Sequence, residues 1–336
     1  MMKACFRFAL LTMLITDLIN IHQSARADDL FVTLGNSRTI GVLTPTTTYL
    51  NGQWNTAGSD PQAAAFGPNG NLYVSYYFTS SISEYTPTGT LAGTFQENTN
   101  IATGVAFTQT GYLAITDELN ERVIVINPNT GAVQHSYDIA YPLSVVAGSG
   151  SLVGLSNTQG LYVGQANGEI DFIDSTGTIH NDVADVDAVA GGASARGLAI
   201  GPDGNLYIAC YGSPEIVELS SGSPGGVKLF ATIPQKYAGN QPDTGVTQLA
   251  FANGLMYATA SAQYTGNGQP GYVDEFNLRG IFETAIPSGD PNIIGITAQS
   301  SDIVSTPEPG FLALVSGFML ASIGVVLRRR STRCLS

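Results

Sequence analysis

The chain is poor in the residues that most catalytic chemistry requires. Three cysteines occur in 336 residues. Cys5 and Cys334 lie near the two ends, so Cys210 stands alone in the body and no internal disulfide can form there. Stability must come from a hydrophobic core, for which a chain of this length suffices. Cys210 itself, in "NLYIACYG", sits on an apolar stretch and reads as a small buried hydrophobe rather than a nucleophile. Histidine is as scarce, and only His135 and His180 lie in the body. The sequence has no GxSxG elbow, no phosphate-binding loop, no HExxH and no CxxC, so the common serine-hydrolase, nucleotide, zinc-protease and dithiol motifs are excluded.

Positive charge is the next shortage. From Asp28 to Pro309 six basic residues (Arg38, Arg122, Arg196, Lys228, Lys236 and Arg279) stand against 25 acidic ones, which leaves −19. A body so acidic repels nucleic acid and suits a soluble, self-repelling protein outside the cell. Charged residues of both signs make up only 12% of the chain, whereas glycine (39), proline (16), tyrosine (15) and phenylalanine (14) are plentiful. That balance favours strands and turns over helices and predicts an all-β protein.

Both ends differ from the body. The start, "MMKACFRFALLTMLITDLINIHQSARA", has Lys3 and Arg7, an apolar stretch over 8–21 and a small-x-small site at Ala25–Ala27. This is the pattern of a signal peptide, residues 1–27, cut after Ala27 by signal peptidase, and it predicts export across the inner membrane. Near the other end, residues 310–327 are free of charge, about 27 Å of helix at ~1.5 Å per residue, enough to span a bilayer core of about 30 Å with slight thinning. Arg328, Arg329 and Arg330 follow at once, and the basic tail 328–336 is expected to stay in the cytoplasm.

Between the ends one phrase recurs: "AAFGPNGNLYVSYY" (64–77), "VAFTQTGYLAITDE" (105–118), "LAIGPDGNLYIACY" (198–211), the worn "LAFANGLMYATASA" (249–262) and the fainter "VGLSNTQGLYVGQA" (153–166). Each is an apolar strand, a glycine-containing turn and a second strand. Anchored on Phe66, Phe107, Leu155, Ile200, Phe251 and Ile296, the intervals are 41, 48, 45, 51 and 45 residues. That is the period of four-stranded propeller blades. Third strands such as "ERVIVINP" and fourth strands such as "VQHSYDI" follow the hairpins. The segment after residue 28 offers second, third and fourth strands without a first, and "NIIGITAQS" offers a first strand without successors. Joined, they predict a sixth blade that closes the ring, a six-bladed β-propeller over residues 28–304.

"GVAFTQTGYLAITDELNERVIVINPNTG" resembles an NHL repeat, and "RGLAIGPDGNLYIACYGSPEIVELSS" resembles the blades of streptogramin lyase and gluconolactonase-like propellers. The fold carries hydrolases, lyases and binding modules alike. Pro307-Glu308-Pro309, followed by the apolar run and the arginines, is similar to the PEP-CTERM sorting signal of Gram-negative bacteria. This resemblance implies that exosortase cleaves the segment 305–336 near Pro-Glu-Pro, with release or transfer to the cell surface or extracellular matrix.

Loops from second to third strands and between blades gather on one face of a propeller, around the channel. Tyr76, Tyr77, Asp117, Glu118, Asn167, Tyr211 and Tyr264 are the expected ligand face, accompanied by Asn36, Arg38, Phe78, Gln165 and Gln263. Aromatics beside amides and carboxylates suit a sugar, whose apolar side covers a ring and whose hydroxyls pair with amides; tyrosines filling space between blades are the competing reading. Gluconolactonase-like relatives imply a divalent cation in the channel, Ca²⁺ or another, for which Asp117, Glu118 and Asn167 are the comparable set. A streptogramin-lyase reading needs a histidine base, and His135 falls on a presumed outer strand. The acidic stretch "IHNDVADVDAVAGG" reads as a solvated interblade loop. The sequence thus points to an exported surface or matrix module binding polysaccharide, with a metal-dependent propeller hydrolase or lyase as the alternative.

Overall fold

The computed structural model describes residues 29–44, 51–79, 81–96, 99–155, 158–220, 226–234, 245–261 and 271–299. The stretches expected to be a signal peptide and a sorting signal, with Ala27, Pro307, Glu308, Pro309 and Arg328–Arg330, lie outside them, as do Gln263 and Tyr264. Among the described residues no helix is long and apolar enough to cross a membrane.

Six antiparallel four-stranded sheets are formed by the described residues. Blades 1 to 5 begin with the strands Pro61–Phe66, Ala102–Phe107, Pro142–Ser149, Ser194–Ile200 and Val246–Ala252, and each continues through three further strands in sequence order. These first strands, together with Ile293–Ala298, touch their neighbours around a closed ring, so the protein is a six-bladed β-propeller. Blade 6 is the predicted composite. Ile293–Ala298 pairs with Leu30–Leu34, from Leu30 opposite Ala298 to Leu34 opposite Ile293, and Thr39–Leu43 and Asn51–Asn55 complete the sheet. Further backbone and side-chain hydrogen bonds bolt this seam as well. Gly35 N–H donates to the Asn292 carbonyl (2.8 Å), Ser37 N–H to Asp290 Oδ2 (2.7 Å), and Gly295 N–H to Thr33 Oγ1 (2.6 Å).

Apolar side chains alternate towards the two neighbouring blades, which produces six hydrophobic wedges, one in each seam. Second strands are covered on both faces, and Leu72–Tyr76 and Leu113–Asp117 are buried throughout. Fourth strands face water, as in the largely exposed Val133–Asp138. Fully burying a Leu, Ile or Phe in such a wedge stabilises by about 1.5–3 kcal/mol. Aromatic rings fill the seam between blades 6 and 1, where Phe31 lies 5.1 Å from Trp54 and edge-on to Phe66 at 5.0 Å.

The repeated phrase has a local cause. In "GPNGNLY" Asn69 Oδ1 accepts from Asn71 N–H, Gly70 takes φ 78°, and Asn71 and Tyr73 both hydrogen-bond to Glu84 of the third strand. "GPDGNLY" repeats the device with Asp203, Asn205 and Glu218. A Cβ on Gly201 would stand 2.5 Å from the Tyr207 ring, so the phrase needs glycine where the tyrosine folds over the turn.

Two expectations require correction. The first strand of blade 3 is Pro142–Ser149, not the stretch ending at Leu155; residues 150–153 form a 3₁₀ turn in an extended hairpin connection. The stretch holding His180 is not an interblade loop either. Ile179–Asp185 is the fourth strand of blade 3, and Asp187–Ala190 a single helical turn after it. Ile179 packs on the wedge between blades 2 and 3, which gives this acidic segment an apolar edge to fold against.

Candidate functional site

At the face where blades hand over to their successors, the first strands open with a bulge. Register breaks between Pro61 and Ala64, Ala102 and Val105, Pro142 and Ser144, Ala195 and Gly197, and Val246 and Gln248. Blades 1 to 3 enter it through a non-glycine residue of positive φ: Asp60 (58°), Ile101 (73°) and Tyr141 (41°). Each offers its carbonyl to the residue after the second strand, namely Tyr77, Glu118 and Ala166. A hydroxyl on the second strand satisfies the bulged amide: Ser75 accepts from Ala63 N–H (3.1 Å) and Thr116 from Gly104 N–H (2.7 Å). A bulge re-aims one side chain. In blade 4 that unpaired residue is Arg196.

Arg196 extends from blade 4 to blade 1, where Nη2 lies 3.4 Å from Oε1 of buried Gln62. Its guanidinium stacks 4.6 Å above the centroid of the half-buried Tyr211 ring. Asp60 and Glu118 are half-buried within the field of this cation. Burial pushes both carboxyls above their usual range, opposed at Asp60 by the Asn292 hydrogen bond and then Arg196, and at Glu118 by Arg196. Asn292 Nδ2 donates to Asp60 Oδ1 (3.1 Å), while Asn292 Oδ1, in a residue only 2% exposed, has no hydrogen-bond partner.

The residues expected on the ligand face divide. Glu118 and Tyr211 stand at this mouth, and Tyr77 lies half-buried on the same face beside exposed Phe78, their rings edge-on at 4.9 Å. Asn36 and Arg38 are exposed on the loop between the first two strands of the N-terminal segment. Tyr76 is not on the surface: it is 0% exposed, its hydroxyl 2.9 Å from that of Tyr85 in the wedge between blades 6 and 1, as a seam-filling tyrosine would be. Asp117 is also fully buried. It accepts from Asn100 N–H (2.6 Å), Asn120 Nδ2 (2.8 Å) and Arg122 Nε (2.8 Å), and so clamps its own loop. Gln165 is buried, and Asn167 is exposed, with Oδ1 accepting from Glu169 N–H in an Asx turn.

Of the set Asp117, Glu118 and Asn167, the first is spent on its own loop, Glu118 is half-buried within the field of Arg196, and Asn167 is exposed. No group of three or more His, Cys, Asp or Glu side chains is placed to hold a metal among the described residues. His135 and His180 occupy fourth strands, His180 3.0 Å from Asp174, far from the first-strand ring in blade order. Sequence reasoning missed Arg196, Gln62, Asp60 and Asn292. The one signal was a lone arginine inside "SARGLAI", an otherwise apolar first strand.

The fold and this mouth define the class, a six-bladed propeller with an arginine at its centre. No family model and no curated protein matches the sequence. Among solved structures, a chain of the nidogen/laminin complex shares 15% identity, with 81% of this chain and 99% of that chain covered and a TM-score of 0.61. A protein of unknown function from Bacteroides caccae shares 15% (80% and 98% covered, TM-score 0.55), and virginiamycin B lyase from Staphylococcus aureus 14% (79% and 86%, TM-score 0.53). At such identities the likeness is one of fold.

Proposed function

We propose that this is an exported propeller, sorted by exosortase to the cell surface or extracellular matrix, that serves as a binding or scaffold module for polysaccharide through its loop face. The observation that carries the reading is the mouth itself. A guanidinium stacked on Tyr211 and reaching Gln62 offers a fixed polar platform, while the two histidines of the body stand on outermost strands. Chemistry of the hydrolase or lyase kind asks for a base or a metal-activated water at that place, and a cationic side chain there disfavours a second cation. The acidic body and the two end segments support life outside the cytoplasm.

Two measurements test this. The processed chain is expected to co-sediment with extracellular polysaccharide from an exosortase-bearing bacterium, and failure to do so removes the binding role. The full chain is expected to be cleaved near Pro307–Pro309 only in cells that possess exosortase; the same cleavage in cells lacking it refutes the sorting assignment.

A further inference from the structure

We infer that an extended, uncharged polysaccharide strand lies on the loop face over blades 1 to 3, against stations made by Phe78, Leu119 and Tyr141. This rests on the polysaccharide reading and gives it a place and a charge class. The three side chains are 72%, 52% and 52% exposed, and each belongs to a different one of three adjacent blades. Phe78 and Leu119 follow second strands and Tyr141 precedes a first strand, so all three stand where blades hand over to their successors. The other large apolar side chains exposed among the described residues fall on fourth strands or on the turn 278–281 at the opposite end.

The stations are held in place. Asp60, Ile101 and Tyr141, the positive-φ residues at the entries of the same three blades, supply the carbonyls that fix the loops: Tyr77 N–H donates to Asp60 (3.0 Å), Glu118 N–H to Ile101 (3.1 Å) and Ala166 N–H to Tyr141 (3.1 Å). Leu119 N–H adds a bond to the Asn100 carbonyl (3.3 Å), and Tyr77 backs Phe78 edge-on at 4.9 Å. Thr103 Oγ1 donates to the Pro142 carbonyl (3.3 Å), which joins the entry of blade 2 to the residue after Tyr141. Positive φ costs stability at a bulky or β-branched residue. Tyr141 is the sharpest case, because glycine would relieve its backbone and a ring half in water adds little packing in return.

The chemistry of the stations suits a glycan more than a protein. Each apolar station is single and has exposed amides for neighbours, Asn100 and Asn120 at Leu119 and Asn167 beside Ala166. A protein helix asks for one continuous apolar groove. Successive pyranoses instead present an apolar face and a belt of hydroxyls, the one to cover the Phe78 and Tyr141 rings and the other to meet the amides. Charge narrows the class. Glu118 and Glu121 flank the Leu119 turn, and Arg122 beside it is paired with Asp117 at 2.8 Å. On a body of −19 these acids repel an anionic polymer.

Co-sedimentation of the processed chain with extracellular polymer from an exosortase-bearing bacterium, before and after proteinase treatment of the polymer, tests the assignment. Binding is expected to survive the proteinase and to be equal at low and high salt. Phe78→Ala and Tyr141→Asn, the latter a residue that accepts positive φ, are each expected to weaken it by about three- to tenfold with an unchanged unfolding midpoint. Phe78→Trp is expected to bind as the wild type does, and its added indole, read beside Trp54, to shift in emission when polymer covers it. That shift needs no loss of function, so misfolding of another variant leaves the test intact. Affinity that falls with salt marks a charged polymer and overturns the inference, and loss of binding after proteinase, which marks a protein ligand, does the same. Polymer binding with both ring-loss variants at wild-type strength and the indole silent would place the strand elsewhere on the face, overturning the inference while the proposed function stands. No binding of any polymer by the wild type removes both.

Discussion

Asp274 lies in the third strand of blade 5, opposite Ala258 and Ala285, with 0% exposure and neither carboxyl oxygen hydrogen-bonded. It projects into the wedge between blades 4 and 5, and burial alone pushes its carboxyl up to about 7. The folded state then holds a proton that the unfolded state releases near pH 4, so this residue's contribution is full below about pH 4 and is lost as pH rises through about 7, a difference on the order of 4 kcal/mol. Urea unfolding of wild type and Asp274→Asn at pH 5 and pH 8 is expected to show the variant gaining on the wild type at the higher pH; equal differences at both would refute it. Cys210, fully buried and with its thiol pushed up to about 12, is expected to resist a thiol reagent until the chain unfolds, as followed by absorbance with and without denaturant. Single residues were the least legible level of the sequence. Tyr76 and Asp117 end their second strands, and a side chain changes face with each step along a strand, so an error of one residue in the strand's end separates the seam from the solvent.

The hairpin phrase was legible because the turn dictates it: in its fullest copies a Gly, an Asn or Asp, and an Asn bound to a third-strand acid leave a visible mark. Blade 3 escaped because "PLSVVAGS" is followed by a 3₁₀ detour instead of the tight turn, which moved the apparent strand onto the connection. The bulges left no mark, since one extra residue in a first strand alters neither composition nor length enough to notice, and Arg196 was hidden with them. Their hydroxyl partners provide the test at this scale. Thr116→Val keeps the shape but strands the Gly104 amide, and is expected to cost about 1–3 kcal/mol, read as a lowered urea midpoint with an unchanged slope. No change would mean that the amide finds another acceptor.

Closure of the ring was also foreseen, because two incomplete sets of strands at opposite ends of the body add up to one blade. A chain ending at Pro291 would lose Ile293–Ala298 and expose the apolar wedges on either side, Leu30, Val32 and Ile286 among them. It is expected to aggregate or unfold without a cooperative transition by circular dichroism and size-exclusion chromatography; a compact monomer with the wild-type midpoint would contradict the latch. The pairing of Leu30 with Ala298 has a mechanical corollary. Chain enters and leaves blade 6 side by side at one end of the sheet, so traction on both termini loads the hydrogen bonds in turn, like a zip fastener, and not all together in shear. A molecule so built tolerates being held by either terminus but opens readily when pulled by both, and single-molecule extension from the two ends should register a low rupture force at this blade first.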